Sequence, residues 1–211
     1  MTTNPQGSTD SLVHLIDDDE AVLDSISLLL DSMSIANKTY PNAIAFLDAY
    51  TTENFATLSG CIVLDIRMPG MSGMECQQKL KALDCNLPIV FLSGHGDVPL
   101  AVEAMKQGAV EFIQKPFREQ ALLDCIQHVL ATNQAEQSQA IQQLEIQKRA
   151  DTLTKREKQI MEKVIAGQAN KLIANELSLS QRTIEIHRAN VMEKMQAKSL
   201  AELVIMGLSC Q

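Results

Sequence analysis

The sequence predicts a parallel, doubly wound α/β domain followed by a small all-α domain, and three observations carry that prediction. Four apolar, partly β-branched runs, Leu12 to Ile16, Cys61 to Leu64, Ile89 to Leu92 and Val110 to Ile113, are separated by helix-length amphipathic stretches. That is the pattern of strands buried on both faces and alternating with helices. Each run leads into a polar group: Asp17-Asp18-Asp19-Glu20, Asp65, Ser93 and Lys115. From Thr152 onward no such run recurs, and short segments with helix-capping residues take over.

Each element follows from its residues. Leu12-Val13-His14-Leu15-Ile16 is the first strand, and Asp19-Glu20 cap and open the next helix, where acids meet the positive end of its dipole. Cys61-Ile62-Val63-Leu64, ending in the lone Asp65, is the central strand; Ile89-Val90-Phe91-Leu92 ends in Ser93, and Val110-Glu111-Phe112-Ile113 leads to Lys115-Pro116. No Gly or Pro occurs from 119 to 166, and Ile126, Val129, Leu130, Ile141 and Leu144 are spaced roughly as one helix stripe, broken at Asn133 and Gln137. The last helix of the α/β domain (10–130) is therefore expected to continue through a linker (131–150) to about Arg149. A disordered glutamine-rich linker is the alternative. In the third segment (151–211), Thr154 caps a helix with Glu157 as its reciprocal partner, and Gly167 stops it. Asn170 is expected to cap Lys171 to Leu177, Ser180 to cap Gln181 to Met195, and a final helix to run from Leu200 to Leu208. Four helices with the tight turn Ser178-Leu179-Ser180 form a helix-turn-helix pattern.

In a doubly wound sheet the carboxyl ends of the strands line one crevice, so the polar residues at those ends converge. Carboxylates gathered there repel one another, and a hard cation such as Mg²⁺ holds them ionised. Lys115 and the metal would form a cationic cradle for a phosphoryl group, with Asp65 as nucleophile and Ser93 donating a hydrogen bond to the product.

Charge divides the chain. The formal net charge is −8 over 211 residues. Residues 1–131 hold 7 Lys and Arg against 17 Asp and Glu, a net of −10, whereas residues 151–211 hold 9 against 7, a net of +2. A tail that approaches nucleic acid must avoid self-repulsion from phosphates. At 100° per residue, Ile184, Val191, Met192 and Met195 share one face of the helix after Ser180, while Arg182, Glu185, Ile186, Ala189 and Glu193 lie opposite. An exposed Ile186 suits a major groove, where it meets thymine methyls and Glu185 accepts from cytosine. Lys171, Arg182, Arg188, Lys194 and Lys198 would contact phosphates. A plain four-helix bundle is the competing reading of these residues. The five cysteines, Cys61, Cys76, Cys85, Cys125 and Cys210, show no metal-ligand or disulfide-framework spacing and read as reduced thiols. Without a signal-length or membrane-length apolar stretch, the expectation is a soluble cytoplasmic protein with no membrane partner.

Asp17-Asp18, Asp65, Ser93 and Lys115-Pro116, with Arg67-Met68-Pro69-Gly70-Met71-Ser72-Gly73, resemble the receiver domain of a two-component response regulator. The resemblance implies a five-stranded parallel sheet in the flavodoxin-like order 2-1-3-4-5, with Asp65 as phosphoacceptor. It implies Mg²⁺ held by Asp18, Asp65 and the backbone carbonyl of Arg67, with Asp17 in support. Asp17-Asp18 is preferred to Asp18-Asp19 as the acidic pair because the strand stops at Ile16. Lys115 would pair with the phosphoryl, Ser93 would sense it, Phe112 would be the aromatic switch, and the Lys115–Pro116 bond would be cis. Val102, Lys106 and Glu111 would form the face that dimerises on phosphorylation.

Leu153-Thr154-Lys155-Arg156-Glu157, Asn170-Lys171-Leu172-Ile173-Ala174 and Arg182-Thr183-Ile184-Glu185-Ile186-His187 are similar to the LuxR-type DNA-binding domain of the NarL/FixJ response regulators, the FixJ subgroup above all. That implies DNA contacts from Lys171, Arg182, Thr183, Glu185, Ile186, Arg188, Ala189, Lys194 and Lys198. Glu185 departs from the lysine of some NarL-type members, so their operator preferences do not transfer. The two resemblances imply a transcription factor controlled by a sensor histidine kinase, acting as a homodimer on double-stranded operator DNA with RNA polymerase as a further partner. It would catalyse only its own phosphoryl transfer and dephosphorylation. The alternative from another class is a metal-dependent phosphohydrolase with an aspartyl-phosphate intermediate, but such enzymes carry a second carboxylate two residues beyond the nucleophile, where Arg67 stands here.

Overall fold

The computed structural model describes residues 11–50, 55, 58–94 and 98–209. The chain divides into two compact units between Ala135 and Glu136. In the first, β1 (Leu12–Ile16), β2 (Asn37–Tyr40), β3 (Gly60–Asp65), β4 (Ile89–Ser93) and β5 (Glu111–Gln114) form one parallel sheet of order β2-β1-β3-β4-β5. The four strands read from apolar runs are all present. The fifth, β2, has no such run: it is an edge strand in which Tyr40 alone is buried, and pairing with β1 holds it.

Helices cover both faces. α1 (Glu20–Ser32) starts at Asp19, whose side chain accepts from the Ala21 N–H, as the acidic run suggested. α2 (Ala43–Asp48), α3 (Gly73–Ala82) and α4 (Val98–Lys106) follow, and α5 runs from Glu119 to Asp151. Alternation along β3 sorts its side chains: Ile62 and Leu64 join Phe46, Cys76 and Ala104 in one core layer, while Cys61 and Val63 join Ile26, Leu122 and Ile126 in the other. Each fully buried Leu, Ile or Phe contributes roughly 1.5–3 kcal/mol. With both layers closed, the strand ends are the free rim where chemistry can collect.

α5 is helical throughout 131–150, but its predicted stripe needs correction. Ile126 and Val129 are buried, whereas Ile141 and Leu144 are 61% and 56% exposed. Asn133, expected to interrupt the stripe, is buried, and its Nδ2 donates to the Gly60 carbonyl at 2.9 Å. Burial resumes at Ile146 and Ala150, which join the core of the second unit.

That unit contains α6 (Lys155–Ile165), α7 (Asn170–Glu176), α8 (Gln181–Met195) and α9 (Leu200–Leu208), closed on Ile160, Ile173, Ile184, Val191, Met195 and Leu203. The capping box forms: the Glu157 N–H donates to Thr154 Oγ1 at 3.3 Å, and the Thr154 N–H to Glu157 Oε2 at 2.8 Å. Gly167, just past α6, takes φ +77°, and Ser178 between α7 and α8 takes φ +54°. Asn170 does not cap α7, whose cap residue Ala169 offers no side-chain bond; its Oδ1 accepts from Arg188 instead. Cys61, Cys76, Cys85 and Cys125 are free, and burial pushes the Cys61 and Cys76 thiols up to about 12, so they are inert core groups. Cys210 lies outside the described residues.

Candidate functional site

The sheet delivers its polar residues to one rim. Asp17 follows β1, Asp65 ends β3, Ser93 ends β4 and Lys115 follows β5. The Lys115 N–H donates to the Ser93 carbonyl at 2.6 Å, prolonging the β4–β5 ladder by one rung, and the Lys115–Pro116 peptide is cis. The lysine side chain reaches back across the strand ends. Its Nζ lies 2.5 Å from Asp17 Oδ2 and 2.7 Å from Asp65 Oδ1. The other carboxylate oxygens are also engaged: Asp17 Oδ1 accepts from the Asp19 N–H at 3.0 Å, and Asp65 Oδ2 from the Arg67 N–H at 2.7 Å. Neither backbone donor was visible in the sequence, because side-chain identity does not encode a turn.

Asp17 and Asp65 are buried and Asp18 is exposed, yet all three offer an oxygen within 4.8 Å of one another. Burial pushes the Asp17 carboxyl up despite its bond to Lys115. Burial also acts against the Lys115 ammonium, but its bonds to Asp17 and Asp65 outweigh that and raise its pKa. Three hard oxygen donors, one open to solvent, fit a small divalent cation that keeps waters of its own. Asp19 is not among them; its side chain accepts from the Ala21 N–H at the α1 cap.

Ser93 is buried at the end of β4, next to Leu92, the register partner of Asp65. Phe112 is half-buried against the core layer that contains Ala104 of α4. Val102, Lys106 and Glu111 all face solvent, Val102 being 47% exposed. Of the loop expected to follow Ser93, only Gly94 is described; His95, Gly96 and Asp97 lie outside the described residues.

The second unit presents α8. Ser180 caps it, accepting from the Thr183 N–H at 3.0 Å, and Ile184, Val191 and Met195 are buried as the angular reading required. Arg182, Glu185, Ile186 and Ala189 are exposed on the other face, Ile186 at 55%, and Lys171 and Lys198 are exposed nearby in sequence on α7 and after α8. Two expected phosphate contacts are committed inside the domain instead. Arg188 is half-buried, its Nη1 donating to Asn170 Oδ1 at 2.5 Å. Lys194 Nζ lies 2.6 Å from Oε2 of the buried Glu157, fastening α8 to the start of α6. A helical wheel places a residue on a face but does not say which neighbour claims its charge.

Residues 13–127 match the response regulator receiver domain family, and residues 151–207 match the luxR family of bacterial regulatory proteins. The transcriptional regulatory protein FixJ of Bradyrhizobium diazoefficiens is 47% identical over 202 residues, 95% of this chain and 96% of that protein. The response regulator protein TodT of Pseudomonas putida is 41% identical over 194 residues, 92% of this chain and 84% of that one. Among solved structures, the response regulator StyR superposes with a TM-score of 0.80 at 41% identity, covering 94% of this chain and 98% of that one. Full-length FixJ from B. japonicum gives 0.60 at 46% identity, covering 96% and 98%.

Proposed function

From the premise that the chain belongs to the FixJ-like response regulators, transcriptional regulators that join a receiver to a LuxR-type DNA-binding domain, we propose that it is switched by phosphorylation of Asp65. The single observation that supports this is Lys115 Nζ lying between Asp17 and Asp65, with Asp18 beside them. An Asp65 carboxylate oxygen attacks phosphorus in line, the new P–O bond forms, and the bond to the kinase histidine nitrogen breaks. Lys115 neutralises charge growing on the phosphoryl oxygens, and the Arg67 N–H holds the carboxylate in orientation. Mg²⁺, held by Asp18, Asp65 and the Arg67 carbonyl with Asp17 in support, would supply the remaining positive charge.

The product carries nearly two negative charges. Ser93 donates to it, Phe112 follows inward, and the surface around Val102, Lys106 and Glu111 pairs with a second copy. Two linked α8 helices then bind operator DNA far more tightly than one, by effective concentration. Lys171, Arg182 and Lys198 contact phosphates, while Thr183, Glu185, Ile186 and Ala189 meet base edges. The protein works in the cytoplasm with a sensor histidine kinase and RNA polymerase, and it turns over no diffusible substrate. Among the described residues no helix is long and apolar enough to cross a membrane.

Genome-wide mapping of bound DNA for wild type and Asp65→Asn tests the reading, with occupancy expected to fall in the variant. Equal occupancy would refute phosphoryl control. Labelling of Asp65 by a small acyl phosphate should stop at one equivalent; steady turnover of a phosphomonoester would point to the hydrolase alternative.

A further inference from the structure

Asn133 occupies a position that the phosphorylation chemistry does not require. It lies on α5, past the apolar contacts of Leu122, Ile126 and Val129 with the sheet, and it is buried. Its Nδ2 reaches across 73 residues of sequence to the carbonyl of Gly60, the first residue of β3. The strand ladder explains why that carbonyl is available. Ile62 donates to the Pro88 carbonyl at 2.9 Å, Ile66 donates to that of Leu92 at 3.1 Å, and Ile62 pairs with Ile89. In a parallel ladder of this register the preceding rung runs from the N–H of residue 88 to the carbonyl of residue 60. Residue 88 is proline and has no N–H to give. The Asn133 amide fills the rung that Pro88 leaves open.

We propose that Asn133 is a latch that closes the β3–β4 ladder and fixes the point at which α5 leaves the sheet. One hydrogen bond then joins the strand that ends in Asp65 to the helix that continues into the second unit. An apolar side chain there would bury an unsatisfied carbonyl, a penalty that favours separation of helix and strand so that water can enter. The consequence for signalling rests on the function proposed above: the latch transmits the state of the receiver into the linker helix.

The test uses the full-length chain. Asn133→Leu should raise amide exchange across residues 129–140 by about tenfold, the effect of one unsatisfied buried carbonyl. Adding Pro88→Ala, which restores a backbone donor, should bring exchange back toward wild type, because leucine then packs over a satisfied carbonyl. Unchanged exchange in Asn133→Leu overturns the latch, and a rise that Pro88→Ala does not reverse overturns the ladder argument. For signalling, affinity is measured with and without beryllofluoride, an acyl-phosphate mimic, for a duplex selected from a random pool against the wild-type chain. Asn133→Leu should cut the beryllofluoride-induced gain by about tenfold while Asp65 labels as in wild type. An undiminished gain overturns the coupling. If wild type itself shows no gain, the proposed function fails, and the exchange measurements still decide the latch.

Discussion

Replacing Glu157 with glutamine removes a charge on which three hydrogen-bond donors converge. The carboxylate accepts from the Thr154 N–H and hydroxyl and from Lys194 Nζ, the last at 2.6 Å, so it closes the α6 cap and fastens the far end of α8. The Lys194 bond first, then the Thr154 N–H, lower its pKa from 4.5 to about 2. A gap of that size corresponds to about 3 kcal/mol at about 1.4 kcal/mol per pH unit. The Lys194 side chain is 34% exposed and therefore screened, which reduces the expected loss to about 1–2 kcal/mol. Because the folded-state value is depressed, this stability is fully present above about pH 4.5 and is lost as pH falls toward 2. The chain offers a clean assay. It has no Trp, and both tyrosines and all five phenylalanines lie between residues 40 and 117, so tyrosine fluorescence follows only the receiver while far-ultraviolet circular dichroism follows both units. Glu157→Gln should lower the dichroism transition of the aromatic-free unit by roughly 4–8 °C per kcal/mol, with the tyrosine signal unmoved. A loss as large near about pH 3 as at neutrality would refute the electrostatic account.

Three further outcomes follow from particular contacts. His14 is fully buried between Tyr40 and Phe46, and burial first, then Lys38, hold its pKa near 4; the folded receiver therefore resists protonation and should lose up to about 3 kcal/mol as pH falls from 6.5 to 4, a slope that His14→Val abolishes in tyrosine-monitored urea titrations. Gly60→Ala should destabilise the receiver by more than about 3 kcal/mol in the same titrations, because φ is +127° and an added Cβ would sit 1.9 Å from the Leu12 carbonyl oxygen. Lys171→Ala should lower the slope of log affinity for duplex DNA against log salt by about 1, whereas Lys194→Ala should leave that slope unchanged and lower thermal stability instead.

The order of apolar runs and polar ends determined the parallel sheet and the rim on which Asp17, Asp65, Ser93 and Lys115 meet, since strand periodicity and crossover topology act through local sequence and leave few alternatives. It determined α8 as well, through the Ser180 cap and the spacing of Ile184, Val191 and Met195. Only the tertiary structure decided the partners of groups whose chemistry permits several. Arg188 and Lys194 could equally meet phosphate or a domain neighbour, and Asn170 and Glu157 claim them. β2 has too few apolar residues to declare itself and exists because β1 pairs with it. Asn133 is buried by a carbonyl 73 positions away that a proline leaves unbonded. Periodicity is a property of one segment, but hydrogen-bond satisfaction is a property of two, and the second is known only once the chain has closed on itself.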